Sequence, residues 1–250
     1  MNWKKLQNGS DIRGVALEGI EGEHVNLTPE VIETIAKSFV RWIRNNSDCE
    51  TPTIAVGMDC RLSGSSIKSA FVKGAVEAGA NVVDCGLAST PAMFMTTISE
   101  HVKATASVMV TASHLPFNRN GLKFFTPKGG LDSKDIASIL TIAENGEFAF
   151  EGEKGSSSTL DFMDIYSRHI ADYICEGVNA DDYQHPLKGM HIIVDAGNGN
   201  GGFFEKILSM LGADTKGSQF LDPDGRFPNH IPNPEDREAM ASVCKAVEES

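Results

Sequence analysis

Apolar residues along the chain follow two spacings, one typical of helices and the other of buried strands. Between positions 31 and 43 they recur at helical spacing, directly after Thr28, Pro29 and Glu30. These three residues read as an N-cap, a proline in the first turn and an early acid. Residues 53–57 instead form a short β-branched run that ends at a glycine, which predicts a buried strand.

The same patterns predict alternating strands and helices over the rest of the chain. Further strands are expected at 81–86, 107–110 and 191–195, an aromatic strand near 122–125, and helices at about 65–78, 91–100, 132–143, 160–175, after 202 and from 235. Gly79 and Gly212 each end a helix before a strand, and this faint repeat favours two α/β modules with mixed, largely parallel sheets. The polar stretch 144–159 has linker composition. We therefore expect a first domain at 1–150 and a second at 151–250.

Composition narrows the possible partners and location. The 250 residues carry a formal net charge of −12, which disfavours nucleic acid and anionic membranes as partners. No apolar run approaches the ~18 residues that span a bilayer, and no signal segment is evident at the N-terminus. Five scattered cysteines without a Cys-x-x-Cys pair suit a reduced, cytoplasmic protein. Nothing in the sequence indicates an oligomeric state.

One loop concentrates reactive and cationic side chains in this acidic chain. After the predicted strand at 107–110, residues 111–116 read Thr-Ala-Ser-His-Leu-Pro, and Arg119 and Lys123 follow closely. Ser113 beside His114 and these cations could carry a phosphoryl group, whose charge of about −1.5 to −2 needs neutralising neighbours. Lys123 could also move a proton. The plainer alternative is a tight loop whose hydroxyls bond only to backbone amides.

Several motifs in one order resemble the α-D-phosphohexomutase (phosphoglucomutase/phosphomannomutase) family. Residues 111–116 are similar to its phosphoserine loop, Thr-Ala-Ser-His-Asn-Pro, and Asn-Gly-Leu-Lys at 120–123 to its lysine element. Ser-Asp-Ile-Arg-Gly at 10–14 resembles the family's Tyr-Asp-Ile-Arg-Gly. Residues 56–63 resemble Val-Gly-Arg-Asp-x-Arg-x-Ser, and 223–230 resemble Pro-Asp-Gly-x-Phe-Pro-Asn-His. The chain departs from these patterns at Ser10, Met58 and Leu115, and the leucine removes one polar contact of the loop.

The resemblance implies a fold, a reaction and a set of residue roles. It implies two phosphohexomutase-type α/β modules, the second truncated, and interconversion of hexose 1-phosphate and hexose 6-phosphate through a phosphoserine and a hexose 1,6-bisphosphate. Ser113 would be the carrier, with Mg²⁺ on its phosphate. Lys123 and His114 would assist proton transfer, and Arg13 would help to hold the site together. We interpret Asp59 and Arg61 as structural residues that brace the loop.

The family's metal loop, Asp-Gly-Asp-x-Asp-Arg, does not occur in residues 1–250. With only one protein ligand, Mg²⁺ is expected to bind weakly. We therefore expect the 250-residue chain by itself to be a weak or inactive mutase, working only as part of a longer chain. The alternative is a non-catalytic module that binds a phosphate or a partner. Glucose and mannose phosphates are not distinguished by the sequence.

Two other patterns suggest different sites. Residues 195–202 contain G-x-G-x-x-G after a predicted strand, with Asp214 further along as a candidate ribose-binding acid, so a dinucleotide site is a lesser alternative. A strand–helix turn of the second module explains the same glycines. Asp222 and Asp224 lack the remaining ligands of an EF-hand loop. The other histidines are isolated and are interpreted as ordinary residues: His24, His101, His169, His185 and His191.

Overall fold

The signals at Thr28 and Pro29 begin the first long helix of the computed structural model, which describes residues 1–250. The Thr28 hydroxyl accepts a hydrogen bond from the Val31 amide at 3.4 Å. The helices are α1 (Pro29–Asn46), α2 (Gly64–Glu77), α3 (Thr90–Met95), α4 (Ser133–Asn145), α5 (Phe162–Val178), α6 (Phe203–Met210) and α7 (Arg237–Glu249). None of them has the length and apolar character that crossing a bilayer requires.

The chain divides into two compact units, unit 1 (Met1–Asp161) and unit 2 (Phe162–Ser250). All the strands lie in unit 1: β1 (Gln7–Asn8), β2 (Asp11–Val15), β3 (Thr53–Met58), β4 (Asn81–Leu87), β5 (Ala106–Val110), β6 (Arg119–Thr126), β7 (Gly129–Gly130) and β8 (Ser157–Thr159). Together they form one eight-stranded sheet in the order β1-β2-β6-β5-β3-β4-β8, with β7 paired to β6.

The sheet of unit 1 is mixed, as expected. β3 runs parallel to β4 and β5, and β4 runs parallel to β8. β6 is antiparallel to both β5 and β2. Because β3 and β5 are parallel neighbours, their carboxyl ends share one edge of the sheet, where α/β proteins commonly bind ligands. The Asp59 amide, just beyond β3, donates to the carbonyl of Val110, the last residue of β5, at 3.0 Å.

An apolar core fixes the strands of unit 1 against three helices. Phe39 of α1, Phe71 of α2 and Phe124 of β6 are buried, and their ring centroids lie 4.6–6.4 Å apart. Residues of α4 join the same cluster. On the other side of the sheet, α3 packs so closely that a Cβ added to Gly57 would meet Met93 Sδ at 2.5 Å. Helices therefore cover both faces and leave the strand ends for the loops.

The predicted linker at 144–159 is confirmed only in its middle, because its first residues end α4 and its last residues belong to the sheet. The Ser156 amide donates to Asn81 Oδ1 at 3.0 Å, and β8 then pairs with β4. Serine and threonine in this segment serve as an exposed edge strand rather than as a flexible connection. The two compact units divide after Asp161, later in the chain than the domain boundary expected at residue 150.

Two predicted elements are shorter than their sequence patterns suggest. Helix α3 ends at Met95, where the hydroxyls of Thr96 and Thr97 donate to the carbonyls of Met93 and Phe94 at 2.7 Å. Such local hydroxyl bonds compete with continued helix. The expected strand at 191–195 is reduced to two isolated parallel bridges, His191 to Asp214 and Asp195 to Gln219.

Unit 2 consists of α5, these bridged segments, α6 and α7. Its apolar cluster includes Ala171 and Cys175 of α5 and Ile207 of α6, with Leu211 and Ala213 after α6. Gly212 ends α6 with φ +93°, and Gly79 ends α2 in the same way with φ +84°. The two glycines that suggested a repeat are therefore both left-handed helix stops, a conformation that glycine adopts without steric cost.

Candidate active site

Ser113 lies in an exposed loop directly after β5, in a backbone conformation that serine seldom adopts. Its φ is +55°, in the left-handed region. Its amide donates to Thr111 Oγ1 at 3.0 Å, and its own Oγ lies 3.2 Å from His114 Nδ1. The hydroxyl therefore faces solvent beside an imidazole nitrogen. Strained residues of this kind cluster at functional sites, where surrounding contacts hold them.

Thr111 connects this serine to a buried carboxylate. The Thr111 hydroxyl donates to Asp59 Oδ2 at 2.6 Å while it accepts the Ser113 amide. Asp59 Oδ1 in turn accepts the Arg61 amide at 3.0 Å. One chain of hydrogen bonds thus runs from the end of β3, through Asp59 and Thr111, to the backbone of Ser113. The Thr111 hydroxyl therefore positions the backbone of Ser113.

Arg61 holds the loop through backbone carbonyls. Its side chain is 0% exposed. The guanidinium donates to four carbonyls at 2.6–3.2 Å: those of Ser113, Leu115, Pro116 and Arg119. A planar guanidinium with five donors suits this task better than a single ammonium would. The geometry agrees with the interpretation of Arg61 as a bracing residue, since the contacts depend on carbonyls and not on which side chain occupies position 115.

Burial dominates the electrostatics of the Asp59–Arg61 pair. It raises the pKa of the Asp59 carboxyl above its usual range, against the hydrogen bonds from Thr111 and the Arg61 amide and the charges of Arg61 and Arg13. Burial also lowers the pKa of Arg61, against the charge of Asp59. Arginine nevertheless keeps its charge in proteins. A buried pair of this type fixes geometry at a cost in desolvation.

Arg13 and Lys123 share one carboxylate on the neighbouring strands. Asp11 Oδ2 lies 2.7 Å from Arg13 Nη2, and Asp11 Oδ1 lies 2.7 Å from Lys123 Nζ. The second terminal nitrogen of Arg13 donates to the Thr111 carbonyl, two residues before Ser113. Arg13 therefore contacts the serine loop through this carbonyl. Lys123, also expected at the site, bonds to Asp11.

The Asn-Gly-Leu-Lys element acquires a physical explanation from the sheet. Asn120 is buried, and its Nδ2 donates to Ser63 Oγ at 2.9 Å. Gly121 lies opposite Arg13 in the β2–β6 pairing, and a Cβ there would collide with the Ile12 carbonyl and lie 2.7 Å from Arg13 Cδ. Glycine thus leaves room for the arginine side chain to cross β6 towards the loop.

Carboxylates pair with the cationic side chains around the serine loop. Arg119 pairs with Glu23, whose other oxygen accepts Asn118 Nδ2 at 2.8 Å. The hydrogen bonds from Arg119 and Asn118 hold the pKa of Glu23 below its usual range. Asp11 balances Arg13 and Lys123 in the same manner. Neither acid was predicted from the sequence: Asp11 lies inside the Ser-Asp-Ile-Arg-Gly motif but was given no role, and Glu23 lies in a segment without any pattern.

The residues present do not by themselves fit a magnesium site. No group of three or more His, Cys, Asp or Glu side chains is placed to hold a metal ion. Asp11, Glu23 and Asp59, the carboxylates of this network, are each engaged by arginine or lysine. Mg²⁺ takes oxygen ligands and binds through carboxylates and substrate phosphates. When phosphorylated, Ser113 would supply phosphate oxygens as such ligands.

Hydrogen bonds join the glycine-rich turn and the Phe-Pro-Asn-His segment of unit 2. Asn229 Nδ2 donates to Asn198 Oδ1 at 2.7 Å, and Asn198 Nδ2 donates to the Asp222 carbonyl at 3.0 Å. His230 Nε2 lies 3.1 Å from Asp195 Oδ1, and a Cβ on Gly197 would meet His230 Cε1 at 2.8 Å. These glycines and asparagines therefore build a turn, which favours the turn interpretation over dinucleotide binding.

Comparisons with known proteins agree with both sets of motifs. The family model for phosphoglucomutase/phosphomannomutase, alpha/beta/alpha domain I, matches residues 4–150, and that for alpha/beta/alpha domain II matches residues 164–250. A phosphoglucomutase of Neisseria meningitidis serogroup B is 31% identical over 95% of this chain and 47% of its own length. A phosphomannomutase of Salmonella typhimurium is 33% identical over 92% of this chain and 49% of its own length.

The fold has a close solved counterpart. The crystal structure of a phosphoglucomutase/phosphomannomutase family protein from Burkholderia thailandensis superposes with a TM-score of 0.74, at 25% identity, over 97% of this chain and 49% of the other. This chain thus spans about half the length of the curated relatives it matches. Two family models, covering most of residues 4–250, agree with the motifs and the fold. The chain belongs to the phosphoglucomutase/phosphomannomutase family.

Proposed function

We propose that this chain carries the phosphoserine part of a phosphohexomutase that interconverts hexose 1-phosphate and hexose 6-phosphate. In this proposal Ser113 exchanges a phosphoryl group with a hexose phosphate. The observation that supports it most is the Ser113 hydroxyl, exposed beside His114 Nδ1 at 3.2 Å on a loop that Arg61 and Thr111 hold in a strained conformation. The relatives named phosphoglucomutase and phosphomannomutase add the substrate class.

The proposed step moves one phosphoryl group and one proton. When a hexose 1,6-bisphosphate reacts, Ser113 Oγ forms a bond to phosphorus as the bond from phosphorus to the sugar oxygen breaks. The serine proton passes to His114, and a proton is returned to the departing sugar oxygen, with Lys123 as a second candidate donor. The reverse step transfers the phosphoryl group from phosphoserine to a hexose monophosphate. Arg13, tied to the loop through the Thr111 carbonyl, would help to orient it.

Magnesium enters this proposal only through the resemblance. Mg²⁺ bound to the serine phosphate would neutralise charge on the transferred group. The residues present do not form a site for this ion. The roles proposed here for Ser113, His114, Lys123 and Arg13 are argued from their own contacts and do not depend on it. We also propose a cytoplasmic location, which the five scattered cysteines without a Cys-x-x-Cys pair support.

Transfer of label to Ser113 tests the proposal. The purified chain is incubated, with and without Mg²⁺, with hexose 1,6-bisphosphate labelled in its phosphoryl groups, and the labelled peptide is identified by mass spectrometry. We expect label on Ser113, none in Ser113→Ala, and labelling slowed about 10²-fold in His114→Gln because a proton acceptor is lost.

A folded protein that takes up no label in either condition would contradict the proposal. That outcome would favour the second candidate, a non-catalytic module that binds a phosphate or a partner. Label that persists in Ser113→Ala would also contradict it, since another residue would then be the acceptor. Complete mutase turnover is a separate measurement, because the chain spans about half the length of its relatives.

A further inference from the structure

Asp11 has no assigned role, yet it is the residue that two of the expected site cations share. Strands β2 and β6 pair antiparallel with Asp11 directly opposite Lys123. Side chains of opposite residues in antiparallel strands lie on the same face, and so do residues two apart in one strand. The strand register alone therefore puts Asp11, Arg13 and Lys123 on one face of the sheet, whichever rotamers their side chains adopt.

Both carboxylate oxygens of Asp11 are in use, one for each cation. Oδ1 lies 2.7 Å from Lys123 Nζ and Oδ2 lies 2.7 Å from Arg13 Nη2. The Asp11 and Arg13 side chains are 13% and 9% exposed, whereas that of Lys123 is 30% exposed. Partial burial keeps the ion pairs from being fully screened by solvent. Among the three side chains, the lysine has the most flexible stem and the greatest exposure.

Arg13 connects this carboxylate to the serine loop. One end of its guanidinium bonds to Asp11 and the other to the Thr111 carbonyl. Gly121 leaves the space that this crossing requires. A chain of contacts through Asp11 and Arg13 therefore connects the Lys123 ammonium to the backbone of the loop that carries Ser113. Displacement of a reacting or charge-stabilising group by about 1 Å can cost 10²-fold in rate.

We propose that Asp11 is a positioning residue that holds the Lys123 ammonium in register with the serine loop. The effect on phosphoryl transfer rests on the proposed function, whereas the placement of Lys123 does not. Without the carboxylate, the two cations would repel each other and the lysine stem would lose its ordering contact. Asp11 itself need not touch the sugar phosphate.

The first measurement is independent of activity. Lysines are modified by an amine-directed reagent at one pH, and the extent at each lysine is read by mass spectrometry. Asp11→Asn keeps the shape of the side chain and removes its charge, so we expect modification of Lys123 to accelerate about threefold or more relative to the other lysines. Asp84→Asn is the matched control, because Asp84 pairs with Lys68 at 2.5 Å in the same unit. It should accelerate Lys68 and leave Lys123 unchanged.

The second measurement uses transfer of label to Ser113. We expect Asp11→Asn to slow labelling about tenfold or more. In a Lys123→Met background the same substitution should have an effect at least about fivefold smaller, since residues that act through each other are not additive. Asp11→Glu, which keeps a carboxylate, should label faster than Asp11→Asn. Asp84→Asn should label at the rate of the unsubstituted chain.

The outcomes separate this inference from the proposed function. Unchanged Lys123 modification in Asp11→Asn would overturn the inference whatever the labelling shows. Multiplicative losses in the double variant, or equal rates for Asp11→Glu and Asp11→Asn, would overturn its catalytic part. If Ser113 takes no label in the unsubstituted chain, the proposed function fails, and the lysine modification alone decides whether Asp11 places Lys123. Thermal melting of each variant confirms that it is folded.

Discussion

Ser113 combines an exposed hydroxyl with a backbone conformation that costs free energy. An L-residue in the left-handed region loses about 1–2 kcal/mol relative to an ordinary helical residue. Here the neighbours that hold it are identified: the Thr111 hydroxyl accepts its amide, and Arg61 donates to its carbonyl at 2.8 Å. Hydrogen bonds to both the amide and the carbonyl of Ser113 therefore hold its backbone in place. A stability cost at the reactive residue itself is the expected consequence.

Substitution of the serine tests that cost. Ser113→Gly should be more stable than Ser113→Ala by about 0.5–1 kcal/mol, because glycine accepts positive φ and alanine does not, although glycine also loses more chain entropy on folding. Urea unfolding followed by tryptophan fluorescence measures the difference, since both tryptophans, Trp3 and Trp42, lie in unit 1. Equal stability of the two variants would show that the loop relaxes instead of holding φ near +55°.

The pairing of β2 with β6 is the element on which the site is assembled. It sets Asp11 opposite Lys123 and Arg13 opposite Gly121, so a single register aligns two cations with their shared carboxylate. A slip of one residue would turn every side chain to the other face of the sheet. The short Asn-Gly-Leu-Lys motif thus works as part of a strand pair, and its glycine is needed for space, not for an unusual backbone angle.

Gly121→Ala tests the steric role of this glycine. The new methyl group would collide with the Ile12 carbonyl and press on Arg13 Cδ. We expect a loss of about 1–3 kcal/mol in the free energy of unfolding, as for other overpacked sites. Gly130→Ala is the matched control, because the nearest atom to an added Cβ is 3.8 Å away. Its effect should stay within about 0.5 kcal/mol. Equal losses in the two urea-unfolding experiments would contradict the steric explanation.

At the scale of the whole molecule, the two units differ in the charged interactions that hold their loops. Unit 1 balances its cations with Asp11, Glu23 and Asp59, as described above. Unit 2 holds its Phe-Pro-Asn-His segment through His230. Burial lowers the pKa of this imidazole, but hydrogen bonds to the Ile231 carbonyl and Asp195, with the charges of Asp195 and Asp236, outweigh burial and raise the pKa overall.

The raised pKa of His230 predicts a pH dependence confined to unit 2. The folded state binds the proton more tightly than the unfolded state, whose histidine pKa is about 6.5. The stabilisation is therefore complete below that pH and is lost as pH rises through the higher folded value. Tyrosine emission during urea unfolding reports on it, since all three tyrosines lie in residues 162–250. His230→Gln should remove this loss, with the tryptophan signal of unit 1 as internal control. An unchanged pH dependence in that variant would contradict the prediction.

Local sequence signals predicted most elements because those signals act over a few residues. Thr28 caps α1, Gly79 and Gly212 end their helices in the left-handed conformation, and the β-branched run at 53–57 lies within β3. The errors arose where distant contacts decide. The polar segment before Asp161 became β8 because Asn81 and β4 offer it hydrogen-bond partners, and no local pattern records those partners.

The sequence by itself determined the family, the alternating α/β organisation and the identity of the serine loop, because each depends on residue types at short, fixed spacings. Only the tertiary structure decided which charges oppose each other. Asp11 lies far from Lys123 in the chain, and Glu23 far from Arg119, yet each pair is in contact. Such pairings follow from strand register and loop packing, which arise when separate segments of the chain meet in the folded unit.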